Sequence, residues 1–369
     1  MTIDAIELRE IRLPLVSPFE TSGWKEEEKT CIIASLEDGS EIGYGECAVS
    51  PGPWFGPETL TTAWHIMEDH ILPNVLGKDF DNPQELLNGV SQIRGHNTTK
   101  AAFEMALWDL LAKKKKISLS RMIGGTRTRI ESGVSVGVQK NIKQLIEVVD
   151  EYVKQGYLRV KLKIKPGWDV KQVGAVRAQF PGLRLMVDAN GAYSPENKDT
   201  LAQLDQFGLM MIEQPFAWDD MVEHALLQSM IKTPVCLDES VSSLNDMKTA
   251  LALQSCRVLN IKPARVGGLT VSKNIHDLCR SKKMPVWCGG LLETGIGRAH
   301  NVALASLAGF VLPGDISASN RYFKQDIVNP EFVLNNDGTM DVPQDDGIGV
   351  EVLADRLEEN TTVKKRFSA

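Results

Sequence analysis

The chain has 369 residues, 43% hydrophobic and 24% charged, with a formal net charge of −7; this is an ordinary globular composition, long enough for a large barrel and a smaller domain. The negative balance speaks against nucleic acid or an anionic membrane as partner. No run approaches the ~18 apolar residues of a membrane span, and Met1 to Ala5 open no leader-like segment, so a cytoplasmic protein is expected.

Residues 6–15 read as extended, and a hairpin follows, with arms at 31–36 and 41–45 around the turn Glu37-Asp38-Gly39-Ser40. Helical spacing then takes over at 58–76, 83–93 and 98–113. In the last of these Ala102, Met105, Ala106 and Leu110 recur on one face, with Asn97 or Thr98 as N-cap. The basic run Lys113 to Lys116 closes that helix as a solvated end. Residues 1–127 thus form an α+β unit.

From 128 to 322, short strand-like runs alternate with helical ones, the pattern of β/α units and a parallel sheet. Strands are expected at 132–138, 158–164, 183–188, 209–213, 235–238, 257–261, 286–288 and 310–312. Eight strands fit a closed β/α barrel of TIM type. An open doubly wound sheet is disfavoured, because no glycine-rich phosphate loop follows a strand. Residues 323–369 return to strand–turn–strand around Asn335-Asn336-Asp337-Gly338, with a short helix near Val352. That tail is too small for its own core and is expected to complete the N-terminal unit as a capping domain. Six scattered cysteines (Cys31, Cys47, Cys236, Cys256, Cys279 and Cys288) read as buried reduced thiols, and six histidines without ligand spacing argue against zinc.

The chemistry lies in a periodic set of charges. Lys163, Asp188, Glu213, Asp238 and Lys262 end or follow consecutive predicted strands, at intervals of 25, 25, 25 and 24 residues. One β/α unit separates each pair, so all five rise to the C-terminal end of the barrel, where barrel active sites lie. Strands 2 and 6 face each other in an eight-stranded barrel, which sets Lys163 opposite Lys262 with three acids on the arc between. Three oxygen ligands without His or Cys suit a hard cation, Mg²⁺ or Mn²⁺. On strand 2, Val160, Leu162 and Ile164 alternate with Arg159, Lys161, Lys163 and Lys165, which places the cations inside the barrel.

At these residues the sequence resembles the enolase superfamily, specifically the o-succinylbenzoate synthase / N-acylamino acid racemase family. The matching segments are Lys161-Leu162-Lys163, Asp188-Ala189-Asn190, Ile212-Glu213-Gln214-Pro215, Leu237-Asp238-Glu239-Ser240 and Asn260-Ile261-Lys262-Pro263. Further matches are Trp287-Cys288-Gly289-Gly290, Glu293-Thr294-Gly295, Pro313-Gly314-Asp315-Ile316-Ser317 and, in the first unit, Ala106-Leu107-Trp108-Asp109. The resemblance implies a cap over the barrel mouth, Asp188, Glu213 and Asp238 as Mg²⁺ ligands (Mn²⁺ substituting), and Lys163 and Lys262 as the catalytic pair. Substrate contacts are expected from Ser135, Lys161, Asn190, Arg265, Gly290 and Leu291. Two cap loops, 18–26 and 51–56, add Phe19, Trp24, Trp54 and Phe55.

Two reactions share the implied enediolate. Dehydration to 2-succinylbenzoate would use Lys163 as base and Lys262 as a protonated stabiliser; racemisation of an N-acylamino acid would use both lysines, one on each face. A small carboxylate is the expected substrate and a homo-oligomer the expected assembly.

Overall fold

The computed structural model describes all 369 residues. Two sheets organise it. The first is antiparallel, in the order Thr361–Ser368, Ala5–Glu20, Lys25–Glu37, Ile42–Cys47. Its last-in-sequence strand pairs beside the first, so the two ends of the chain meet in one sheet. The alternating side chains of Lys25–Glu37 serve two cores. Ile32, Ala34 and Leu36 pack with Phe103, Ala106 and Leu110, while Cys31 and Ile33 join the cluster that continues into the barrel.

Helix Asn97–Lys114 lies between cap and barrel and is buried nearly all round. It therefore carries interior polar groups, each with a partner. The Glu104 carboxylate accepts from Leu269 N and Thr270 N, both at 2.8 Å, at the start of barrel helix Leu269–Ser281, and from Trp108 Nε1 at 2.8 Å. Glu46 does the same for barrel helix Gly295–Ala305, accepting from Thr294 Oγ1 at 2.6 Å and Gly297 N at 3.1 Å. Two cap acids thus satisfy N–H groups that barrel helices leave free.

The second sheet is parallel, with seven strands in spatial order of sequence: Gly133–Val136, Arg159–Lys163, Arg184–Asp188, Ile212–Glu213, Val235–Leu237, Val258–Ile261 and Val286–Cys288. The eighth strand expected at 310–312 is reduced to isolated bridges, Val286 with Phe310 and Ser132 with Gly314. Those bridges still join the seventh strand to the first and close the ring. Helix-facing Val160, Leu162, Leu185 and Val187 belong to the large core, whereas Met186, Met211, Cys236, Val258 and Trp287 form a separate cluster inside the barrel.

Other local expectations are revised. The helix starting at Asn97 is not capped by Asn97 or Thr98: His96 precedes it with φ 50°, and Glu58 accepts from Thr98 N at 2.7 Å and Thr99 N at 2.8 Å. An acid 40 residues upstream has no local sequence signature. The 58–76 helix starts at Leu60 behind Thr59 and passes through a π turn at Met67–Ile71. The turn at 335–338 forms, but its second arm, Thr339–Asp341, pairs with Arg129–Glu131 instead of a hairpin partner. The short helix of the tail is Ala354–Glu359. All six cysteines are free and buried, and no helix is long and apolar enough to cross a membrane.

The Glu104 contact generates a stability test. Glu104→Ala strands two buried N–H groups and should cost about 2–4 kcal/mol of unfolding free energy, read from denaturant melts. Burial pushes the Glu104 carboxyl up to about 7, from an ordinary 4.5. Its contribution is therefore full below about 4.5 and declines as pH rises through about 7. Relative to Glu104→Gln, the native chain should lose stability over that window; a constant difference would contradict the assignment.

Candidate active site

The C-terminal ends of the parallel strands carry the charges. Register pairs Lys163 with Asp188 and Asp188 with Glu213 across neighbouring strands, and Asp238 follows directly after Val235–Leu237. Lys262 is the first residue beyond Val258–Ile261. The side chains of Lys161, Lys163 and Lys262 are only 4%, 7% and 7% exposed, as inward-facing cations require. Lys165 departs from the expected inward row: it lies past the strand end, half-buried, in a bridge with Trp168.

Each buried amine has an acid. Lys163 Nζ donates to Asp188 Oδ2 and to Asn190 Oδ1, both at 2.6 Å. Lys262 Nζ donates to Asp238 Oδ2 at 2.7 Å and sits 4.2 Å from the centre of the Phe55 ring. Arg265 also pairs with Asp238, and its Nε donates to Val241 O at 2.9 Å. Lys161 Nζ lies 2.9 Å from Glu213 Oε2, 3.2 Å from Asp188 Oδ2 and 2.8 Å from Asp315 Oδ2. At Gly289 a Cβ would fall 2.7 Å from Lys262 Cε, so only glycine leaves that amine its place.

The electrostatics follow from crowding. Burial would raise Asp188, but Lys163 and Lys161 hold its carboxyl well below the usual range. Burial would lower Lys161, but Asp315, Glu213 and Asp188 raise it well above its ordinary value. Glu213 is pushed up to about 8, first by burial and then by Asp188, because the one ammonium it touches is shared with two other acids. Glu239 is pushed to about 7 by burial and by Asp238, and its Oε2 has no partner. Counter-charge is thus unevenly shared, with Glu213 and Glu239 least provided for, and the adjacent oxygen-only donors suit a hard cation. As the side chains stand, no three acids converge into a finished cage. The reason is visible: Asp188 and Asp238 are turned onto Lys163 and Lys262.

Above this floor lies a cavity of about 520 Å³, within the range of small-ligand pockets. Phe19, Phe55, Ser135, Lys161, Asn190, Arg265, Gly290 and Leu291 all line it, together with Lys163 and Lys262. Asp188, Glu213 and Asp238 lie beneath, screened by the amines. The cap supplies the roof: Thr21, Trp24 and Trp54 join Phe19 and Phe55 there. It is fastened by Ser22 Oγ donating to Ile164 O at 2.9 Å and by Lys29 Nζ donating to Leu291 O at 2.9 Å.

Sequence reasoning missed several groups. Asn260 Nδ2 holds Glu213 Oε1 at 2.6 Å, and Gln214 Oε1 accepts from Asp238 N at 3.0 Å. Glu239 Oε1 accepts from the already expected Asn190, Nδ2 at 3.1 Å, and Asp315 binds Lys161. Each stands inside a motif already singled out, beside a residue that took the attention.

Comparison with known proteins agrees with this architecture. Residues 5–124 match the mandelate racemase / muconate lactonizing enzyme N-terminal domain, and residues 144–356 match the enolase C-terminal domain-like family. The chain is 46% identical over 368 residues to an o-succinylbenzoate synthase of Geobacillus kaustophilus, covering 100% of this chain and 98% of that protein. It is 42% identical over 369 residues to an N-succinylamino acid racemase of Thermus thermophilus, covering 100% of both. A crystal structure of an enolase superfamily member from Listeria innocua superposes with a TM-score of 0.96 at 44% identity, covering 100% of both chains. Barrel, cap and these similarities together establish that the chain belongs to the enolase superfamily, in its o-succinylbenzoate synthase / N-acylamino acid racemase family.

Proposed function

We propose that this enzyme is an o-succinylbenzoate synthase, dehydrating 2-succinyl-6-hydroxy-2,4-cyclohexadiene-1-carboxylate to 2-succinylbenzoate for menaquinone synthesis. The observation that carries the reading is a pair of buried lysines four strand positions apart, both lining one roofed cavity over three acids. Full-length similarity to synthases of three further species, at 44–48% identity, supports the choice of substrate.

Asp188, Glu213 and Asp238 would hold Mg²⁺, with Mn²⁺ as a substitute. When bound, the ion polarises the substrate carboxylate and offsets the negative charge that grows there as the α-proton leaves. Lys163, in its neutral form, takes that α-proton from one face. The same amine, now protonated, delivers the proton to the departing 6-hydroxyl, which leaves as water while the ring becomes aromatic. Lys262 stays protonated on the other face and stabilises the developing anion. Lys161 and Arg265 aim further positive charge at the carboxylate, and Asn190 holds Lys163 by its 2.6 Å contact. Phe19, Trp24, Trp54 and Phe55 exclude water around the reacting carbon. Buried unpaired thiols suit a reducing compartment, and the cytoplasm is the one we assign.

A second activity, racemisation of N-succinylamino acids, is favoured by the same two amines and by relatives of that name at 42% identity in two genera. There, one lysine would remove the α-proton and the other return one to the opposite face.

Three measurements test these assignments. Purified enzyme with Mg²⁺ should convert the cyclohexadiene substrate; turnover of N-succinylamino acids alone would make racemisation the true role, and turnover of neither would sink both. Lys163→Ala should lower kcat for dehydration by about 10³-fold or more with the fold retained by circular dichroism. With N-succinylamino acids in D₂O, Lys163→Ala and Lys262→Ala should each abolish α-deuterium exchange for one enantiomer, and not the same one. Loss of the same enantiomer in both variants would place the amines on one side.

A further inference from the structure

Lys161 is the one ammonium that reaches both Glu213 and Asp188, at 2.9 and 3.2 Å. It therefore stands on two of the three carboxylates assigned above to the divalent ion, and a cation arriving there meets a like charge already in place. Lys161 has a third acid, Asp315, at 2.8 Å, which is not among those ligands. Asp315 ends the irregular segment that replaces the eighth strand.

Its carboxylate is held from several sides. Ser135 Oγ donates to Oδ2 at 2.8 Å, and Arg159 Nη1 approaches Oδ1 at 3.0 Å. Its backbone N donates to Cys288 O at 2.8 Å, tying it to the seventh strand. Arg159 is itself immobilised: its guanidinium reaches Gly314 O at 2.9 Å, lies 5.3 Å from the Trp287 ring centre, and is 1% exposed. Gly133 makes room for it, since a Cβ there would stand 2.5 Å from Arg159 Cζ. The seam where the barrel closes is thus built as a rigid seat for one carboxylate, and Lys161 is the charge it presents to the cavity.

We infer that Asp315 is a positioning residue: it retains the Lys161 amine at the closing seam, so that Glu213 and Asp188 are released to a divalent cation while Lys161 stays directed at the substrate carboxylate. The inference rests on the metal-ligand reading above. With Asp315 neutral, Lys161 has only Glu213 and Asp188 as anionic partners and competes with the cation for both.

The test is a binding cycle without substrate, following Mn²⁺ by electron paramagnetic resonance and Mg²⁺ by calorimetry. Asp315→Asn should weaken cation binding about tenfold or more with fold retained by circular dichroism. In a Lys161→Met background the same substitution should change affinity by no more than about twofold, because the competing ammonium is gone. Unchanged affinity in Asp315→Asn would overturn the inference, as would an equal loss in both backgrounds, which would mark a field effect independent of Lys161. Should Asp315→Asn fail to fold, Ser135→Ala, which removes only one hydrogen bond to Asp315, should weaken binding about two- to threefold; no change there also overturns it. A native chain that binds neither ion would instead refute the metal-ligand reading itself.

Discussion

The constraint from which the rest follows is the burial of opposing charges in one small volume. Arg159, Lys161, Lys163, Lys262 and Arg265 share the barrel mouth with Asp188, Glu213, Asp238, Glu239 and Asp315, and all ten are largely withdrawn from water. An unpaired charge there would be expensive, so each must find a partner, and each pairing fixes a side-chain direction. The same pairings leave Glu213 and Glu239 short of counter-charge. The charges balance in number but not in place, and the local shortfall at Glu213 and Glu239 is where a further cation would be accommodated.

That imbalance has a chemical use. A base must be neutral, whereas each lysine here lies against an acid, Lys163 on Asp188 and Lys262 on Asp238. On the proposed reading, a divalent ion together with one substrate carboxylate would bring a net single positive charge into the cluster. That is the charge one lysine would give up on becoming neutral while its counterpart stayed protonated. On the same reading racemisation would differ from dehydration in using the second amine as an acid, returning a proton to the face opposite the one deprotonated.

The cap covers this arrangement from above. Its helix Asn97–Lys114 is wedged against the barrel by acids that take up helix N–H groups, with Glu104 serving one barrel helix and Glu46, from the neighbouring strand, another. The connection between Ala5–Glu20 and Lys25–Glu37 is tied to the barrel through Ser22, and the second of these strands through Lys29. Aromatic side chains then lie over Lys262 and the cavity, raising the strength of every charge interaction below.

Much was legible in the chain itself. A 24- or 25-residue spacing fixes which end of a β/α barrel a charged residue occupies, because one strand–helix unit spans that interval, and alternation on 159–163 fixes which way each side chain points. Those are local and periodic properties, so Lys163, Asp188, Glu213, Asp238 and Lys262 could be placed together from spacing alone. The cavity lining, Phe19 and Phe55 included, came from likeness to a family and not from periodicity. Tertiary structure alone decided the pairings: Asp315 on Lys161, Asn260 on Glu213, and Glu58 capping a helix 40 residues away. It also decided that the eighth strand dwindles to bridges and that the tail, expected in the cap, enters it by pairing Thr361–Ser368 with Ala5–Glu20. Such contacts join residues distant in sequence, and their energies depend on burial and on which competing partner lies nearest, quantities that no local pattern encodes.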